Sequence, residues 1–322
     1  MPRAALAASP SFYLRLSVTD RCNLRCAYCW PNAQPAQLPV GTYATDTELL
    51  QLVGRIHRLH PLTKLRLTGG EPLLRHGLAD LVRRIRDLLP DAVLALTTNG
   101  ALLSRLARPL REAGLDALNV SLDTLDPTAF AHLTGGGRLD ATLAGIQAAQ
   151  AAGFPKIRLN CVLIRRVNGD RLSEIARWAV LRDCEIRFIE LMSCGSGADL
   201  FESDYLSADQ AIARLANDFD YYGPIEREGT AQLHRFVIDN RSVSVGMITP
   251  VSHPFCATCN RLRMDARGRL IACLRQPSHH DLLEPLRLGD EATLLERIEA
   301  CVNAKGIPAE GWPDRQMVVV GG

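Results

Sequence analysis

Between residues 13 and 189 the chain alternates short apolar runs with longer amphipathic ones, six times over. The short runs, 13–17, 64–68, 93–97, 117–120, 156–163 and 185–189, read as strands. The segments between them, 46–59, 77–88, 103–113, 139–152 and 172–181, carry the apolar spacing of helices that bury one face. Gly114 and Gly153 stand where a glycine closes a helix. Strictly alternating strand–helix units predict an α/β fold, a parallel sheet covered by helices. In a closed or partial barrel of this kind the working groups gather at the C-terminal ends of the strands.

The polar motifs fall at those ends. Cys22, Cys26 and Cys29 follow the first strand, and Thr68-Gly69-Gly70-Glu71-Pro72 follows the second. Thr97-Thr98-Asn99-Gly100 follows the third, Ser121-Leu122-Asp123 the fourth, and Arg187-Phe188-Ile189-Glu190-Leu191-Met192 covers the sixth. Polar strand ends that converge on one mouth describe one active site.

The first cysteines have the spacing C-x3-C-x2-C. Thiolates are the usual ligands of iron–sulfur clusters, and three of them leave one iron of a four-iron cubane open to a small molecule. A structural zinc site wants four closed ligands, and no fourth Cys or His lies close by. Disulfides are disfavoured, because no apolar signal segment precedes the motif and the chain reads as intracellular. A second set, Cys256, Cys259 and Cys273, has the spacing C-x2-C-x13-C. It reads as another three-cysteine cluster. A zinc knuckle completed by His253, His279 or His280 and a relay cluster completed by another residue remain alternatives. Cys161, Cys184, Cys194 and Cys301 read as structural, with Cys194, in the glycine-rich stretch 193–197, the one to watch.

Composition narrows the function classes. The 322 residues are 47% hydrophobic and 22% charged, with net charge +2, so there is no basic field for nucleic acid. No apolar run is long enough to span a membrane, and residues 1–10 read as a loose tail. After about residue 199 the rhythm changes, and β-like runs at 232–237 and 242–248 precede the second cysteines. Two domains are expected: a barrel over 1–222 and a smaller module over 223–322.

The cysteine loop, with Tyr28 before its last cysteine and Gly69-Gly70-Glu71-Pro72 on the next strand end, resembles the radical S-adenosylmethionine (SAM) superfamily. Four further motifs narrow the resemblance to the GTP 3′,8-cyclase family of molybdenum cofactor biosynthesis. They are Leu16–Asn23, Asn119–Asp123, Ile186–Glu190 and Asn260-Arg261-Leu262-Arg263, with the final Gly321-Gly322 beside them. The resemblance runs from about Tyr13 to the last residue. It implies a partial (β/α)6 TIM-type barrel with a C-terminal iron–sulfur module, two 4Fe–4S clusters, and SAM cleaved to a deoxyadenosyl radical. That radical takes a hydrogen from the ribose of GTP, and the ribose radical attacks C8 of guanine. The product is (8S)-3′,8-cyclo-7,8-dihydroguanosine 5′-triphosphate.

Carried over from the resemblance, SAM contacts fall on Tyr28, Gly70, Ser121 and Met192. GTP contacts fall on Arg15, Arg66, Thr97, Arg158, Arg261 and Arg263. The guanine sits at the open iron of the second cluster, and Gly321 and Gly322 insert into the active site. The arginines also make sense alone, since guanidinium groups pair phosphate oxygens bidentately and two residues apart on a strand face the same way. Arg83, Arg84, Arg86 and Arg108 read as solvated surface charges or local ion pairs. Two departures stand out: residue 158 is arginine where the family has lysine, and Met317–Val320 is more apolar than usual before the glycine pair.

The expected partners are GTP, a second copy of the chain, a flavodoxin- or ferredoxin-type reductant protein and the downstream cyclic pyranopterin synthase, in the cytoplasm. A peptide-modifying radical enzyme or a non-catalytic iron–sulfur or zinc scaffold would be the competing readings. The single C-x2-C-x13-C set and the Gly-Gly tail argue against the first.

Overall fold

The structure is a computed structural model that describes residues 11–30, 42–305, 311–312 and 317–320. Its first half is the expected alternation. Strands β1 (Phe12–Ser17), β2 (Leu62–Thr68), β3 (Val93–Thr98), β4 (Ala117–Ser121), β5 (Lys156–Leu163) and β6 (Glu185–Glu190) run parallel in chain order. Helices α1 (Asp46–Leu59), α2 (Leu78–Leu88), α3 (Leu103–Glu112), α4 (Pro127–Leu133), α5 (Leu139–Ala151), α6 (Arg165–Asn168) and α7 (Leu172–Val180) connect them. Two more, α8 (Gly197–Asp204) and α9 (Ala208–Asp218), follow β6.

Each parallel strand has two different faces. On β1, Leu14 and Leu16 are fully buried against the helices, whereas Tyr13, Arg15 and Ser17 alternate with them and face the lumen. Helix α1 supplies Leu49, Leu52, Val53 and Ile56 to the same apolar layer, at the spacing of one helical face. Its start is set by Thr45, whose hydroxyl accepts from the Glu48 amide while the Glu48 carboxylate accepts from the Thr45 amide.

The later strands join the same sheet. These are β7 (Asp220–Glu228), β8 (Ala231–Ile238), β9 (Arg241–Ile248), β10 (Arg261–Met264), β11 (Arg269–Ile271) and β12 (His280–Asp281). Strand β9 pairs parallel to β6, and β10 pairs parallel to β1. The order across the sheet is β12-β11-β10-β1-β2-β3-β4-β5-β6-β9-β8-β7, so the parallel run has eight strands, two of them drawn from the C-terminal third. The β7–β8–β9 meander closes one flank and the β10–β11–β12 meander the other, both antiparallel. The barrel is therefore partial, with β12 and β7 as its two edges. Helices α10 (Leu283–Leu288), α11 (Glu291–Asn303) and the short α12 (Met317–Val320) end the described chain. No helix among the described residues is long and apolar enough to cross a membrane.

Candidate active site

The cysteine loop is clamped between the ends of β2, β4 and β5. The Cys29 amide donates to the Cys26 carbonyl at 2.9 Å, forming a turn that carries two of the three thiols. The Gly70 and Glu71 amides donate to the carbonyls of Thr19 and Arg21, at 2.8 and 2.7 Å. A Cβ on Gly70 would lie 2.3 Å from the Arg21 carbonyl oxygen, and one on Gly69 2.4 Å from that of Thr19. The glycine pair is thus required by the cysteine loop itself, which rests on it at backbone contact.

Two buried carboxylates complete the clamp. Glu71 accepts from the Thr98 hydroxyl at 2.7 Å, the Asn99 amide at 2.7 Å and the Leu73 amide at 3.0 Å, tying the end of β2 to that of β3. Burial raises its carboxyl to about 7 despite those bonds. Asp123 accepts from the Tyr28 hydroxyl at 2.7 Å and the Val162 amide at 2.8 Å, joining the loop to β4 and β5. Burial lifts Asp123 to about 6. The thiols follow the same physics: burial pushes Cys29 up to about 12, with Cys22 and Cys194 adding to the rise, and raises Cys22 and Cys26 as well. Cysteines buried in this way become thiolates when a cationic metal group takes them as ligands.

Below the mouth, the lumen is lined with cations in register. Arg263, Arg15 and Arg66 stand side by side on β10, β1 and β2. The same row continues through Ala95 and Ala117 to Lys156 on β5. The two alanines leave space between a cationic wall on β10-β1-β2 and another on β5-β6. One layer along, Thr97, Asn119, Arg158 and Glu185 align, and beyond them Ser121, Asn160 and Arg187. Arg261, Tyr13 and Lys64 form the opposite layer.

Arg15, Arg66, Arg158 and Arg263 are all less than 9% exposed. Burying so many like charges is costly without an anion, and the lumen shows the strain electrostatically. Burial and the neighbouring cations push Lys64 down to about 8 and Arg15 well below its usual range. Arg263 falls to about 10 through burial and Arg261. Burial alone would raise the Tyr13 phenol, but Arg66, Arg15, Arg261 and Lys64 together bring it down to about 7. Its oxygen accepts from Arg66 Nε at 2.6 Å, and Arg66 also donates to the Thr97 hydroxyl at 3.2 Å. Buried Thr68 Oγ1, Asn119 Oδ1 and Arg187 Nε have no hydrogen-bond partner among the described residues, which is rare unless a ligand meets them.

The second cysteine set sits at the open end of the β10–β11 hairpin, away from its turn at 265–268. Cys256 and Cys259 bracket a short 3-10 turn ahead of β10, and Cys273 lies just past β11. The hairpin sets Arg263 opposite Ile271, so continuing that register brings Arg261 opposite Cys273. Lys305 Nζ lies 3.6 Å from Cys259 Sγ and 2.8 Å from the Ala272 carbonyl. The His253 ring is engaged elsewhere, 3.1 Å from the Asp209 carboxylate. Glu190 at the end of β6 accepts from the Val251 and Ser252 amides at 3.0 and 2.9 Å, and so holds the segment that leads to Cys256. Among the described residues no three His, Cys, Asp or Glu side chains are close enough to hold one metal ion. Cubane ligands bind separate irons and need not converge on one point, so both cysteine sets fit clusters.

The expected residues are thus largely gathered. Tyr28, Gly70, Ser121 and Met192 surround the mouth, and Arg15, Arg66, Thr97, Arg261 and Arg263 line one wall. Arg158 lies on the facing wall, with its guanidinium held by Glu185 at 2.7 Å and Glu228 at 2.5 Å. Cys194, Ile271, Leu274 and Met317 form a small apolar cluster against Cys29, Met192 and Trp312, which brings α12 between the two cysteine sets. Gly321 and Gly322 lie outside the described residues. Sequence reading missed Tyr13, Lys64, Lys156, Arg187, Glu228 and Lys305 as lumen or cluster neighbours, and Glu71 and Asp123 as the buried anchors. Tyr13, Lys64 and Lys156 stand two residues from arginines already on the inner face, a spacing that marks them, whereas Arg187 is brought there by its pairing with Asn160.

Comparison with known proteins agrees with this geometry. The model of the radical SAM superfamily matches residues 16–179, and that of Molybdenum Cofactor Synthesis C matches residues 184–308. The GTP 3′,8-cyclase of Pseudomonas putida (strain W619) is 44% identical over 299 residues, covering 91% of this chain and 88% of its own. That of Heliobacterium modesticaldum is 40% identical over 312 residues, covering 94% of each. Among solved structures, Streptococcus suis SuiB bound to S-adenosylmethionine matches with a TM-score of 0.66 at 14% identity, covering 86% of this chain and 64% of that one. That likeness is one of fold. With the two family models matching successive stretches of the chain and near-full-length relatives at this identity, the chain belongs to the radical SAM superfamily and, within it, to the GTP 3′,8-cyclase family.

Proposed function

We propose that this chain converts GTP to (8S)-3′,8-cyclo-7,8-dihydroguanosine 5′-triphosphate, the first step of molybdenum cofactor synthesis. The observation that carries the reading is the in-register row Arg263, Arg15 and Arg66, lining a lumen whose mouth holds the three-cysteine loop. The oxygens of a triphosphate match the forked donors of such a row. When bound, SAM at the first 4Fe–4S cluster supplies the hydrogen-abstracting radical, and the second 4Fe–4S cluster supplies an open iron for the base.

In this reading Cys22, Cys26 and Cys29 hold the first cluster, and Cys256, Cys259 and Cys273 the second. Tyr28, Gly70, Ser121 and Met192 hold SAM. Arg15, Arg66, Thr97, Arg261 and Arg263 orient GTP, with Arg158 contributing once it leaves its carboxylates. Gly321 and Gly322 act in the active site, a role supported by the packing of Met317, four residues earlier in the chain, near Cys29 and Met192. The part of the chain before 223 supplies the six βα strands of the barrel, and the part after it carries the second cluster and lends β9 and β10 to the same sheet. The enzyme works in the cytoplasm as a homodimer, takes electrons from a flavodoxin- or ferredoxin-type protein and passes its product to cyclic pyranopterin synthase. The unpaired sheet edges at β7 and β12 support self-association. Sedimentation at micromolar concentration tests the dimer.

The deciding test is anaerobic turnover of the reconstituted protein with SAM, GTP and a strong reductant, followed by mass spectrometry. Deoxyadenosine together with a cyclised GTP isomer is the expected outcome. Deoxyadenosine with GTP unchanged would overturn the substrate, and neither product with intact clusters would overturn the enzyme.

A further inference from the structure

The two cationic walls of the lumen are not equivalent. On the wall formed by β5 and β6, two carboxylates already occupy the cations. Glu228, at the end of β7, reaches Lys156 Nζ at 3.0 Å and Arg158 at 2.5 Å with one oxygen, and Arg187 at 2.5 Å with the other. Glu185 on β6 adds Lys156 at 3.0 Å and Arg158 at 2.7 Å. The three cations are drawn from two neighbouring strands, but Glu228 comes from the antiparallel flank about seventy residues away in sequence.

The pairs differ in exposure. The Arg158 and Arg187 side chains are 3% and 11% exposed, whereas that of Glu228 is 41% exposed. Glu228 is thus the solvent-facing partner, arriving on a hairpin, while the guanidiniums are buried in the wall. Lys64 on the opposite wall feels Arg66, Arg158 and Arg187 together, so the two walls share one electrostatic space.

We infer that Glu228 is an internal stand-in for a phosphate group. It neutralises Lys156, Arg158 and Arg187 while the lumen is empty, and a polyphosphate must displace it to reach them. This rests on the GTP reading of the site and adds a residue that sets its specificity. A carboxylate that bridges three cations offers them roughly one phosphate's worth of acceptors. An anion of one or two charges gains little by replacing it, whereas a triphosphate can fill the β10-β1-β2 wall and still compete for the second. Glu228 therefore acts against shorter phosphates, by making the second wall costly to enter.

The test uses the reconstituted full chain and two probes, inorganic tripolyphosphate and GTP, with binding measured by calorimetry. Glu228→Gln should bind tripolyphosphate about tenfold more tightly than the parent, and should narrow the preference for tripolyphosphate over pyrophosphate. Loss of one negative charge alone favours every anion, so the narrowed preference between tripolyphosphate and pyrophosphate is the diagnostic readout. If Glu228→Gln fails to fold, Glu228→Asp, whose shorter carboxylate cannot bridge all three cations, should show the same gain in smaller measure. Unchanged or weaker tripolyphosphate binding in the folded variant overturns the inference. Tighter tripolyphosphate binding by a protein that ignores GTP would uphold it and overturn the GTP reading instead.

Discussion

At Gly70 a single hydrogen atom decides whether the first cysteine loop can seat. Gly70→Ala places a methyl 2.3 Å from the Arg21 carbonyl oxygen, so the loop must move. The expected result is loss of SAM cleavage and of iron from the first cluster. Helical circular dichroism and GTP binding should persist, and a variant that still cleaves SAM at the parent rate would sink the argument. Arg66 tests the other end of the site. Its guanidinium is shared between the Tyr13 hydroxyl, Thr97 and the Leu96 carbonyl, all within the lumen. Arg66→Ala should weaken GTP binding by at least about tenfold, in line with loss of a charged hydrogen bond worth roughly 1.5–3 kcal/mol, while leaving SAM binding intact. Equal GTP affinity in calorimetry would remove Arg66 from the substrate site.

Among the elements, α1 shows how the two ends of the chain are fastened together. Glu48 closes the capping box with Thr45 and also pairs with Arg287 of α10 at 2.7 Å. The hydrogen bond from Arg287, ahead of the bonds from Thr45, lowers the Glu48 carboxyl from 4.5 to about 2. A depressed carboxyl stabilises the fold above its unfolded value and loses that contribution as pH falls toward the folded one. Glu48→Gln should therefore lower Tm at pH 7, and the gap to the parent should shrink between pH 4.5 and pH 2. A gap that widens on acidification would contradict the assignment. Thr45→Ala should cost about 1 kcal/mol at neutral pH, as a lost N-cap does. The β1 to β6 alternation was legible because each strand carries its own signature, apolar residues toward the helices and polar ones toward the lumen, as Leu14 and Leu16 against Tyr13 and Arg15. Strands β10, β11 and β12 were not, because four, three and two residues are too short to show a period. Strand β7 hid behind Gly223 and Pro224 and its exposed face, as edge strands do. The arginines of the site could be read from spacing, but the capture of Arg158 by Glu228 could not, since it depends on a hairpin docking across the barrel.

For the molecule as a whole, the two cysteine sets belong to opposite ends of the sequence and to opposite ends of the sheet's first parallel pair, β1 and β10. The reconstituted protein should carry about eight irons. Cys26→Ser should remove about half of them and all SAM cleavage, while Cys259→Ser should remove about half and leave slow SAM cleavage without a GTP product. Cleavage surviving in Cys26→Ser would displace the first cluster from its role. The pairing of β10 with β1 also carries a consequence for synthesis. Strand β1 is the first to leave the ribosome, yet its outer neighbour is not made until residue 264, so the growing barrel carries a raw edge through most of translation. A chain released before that point would present a flat, apolar-backed ribbon seeking any strand. The last third of the protein therefore serves as the stave that keeps the barrel from joining its neighbours.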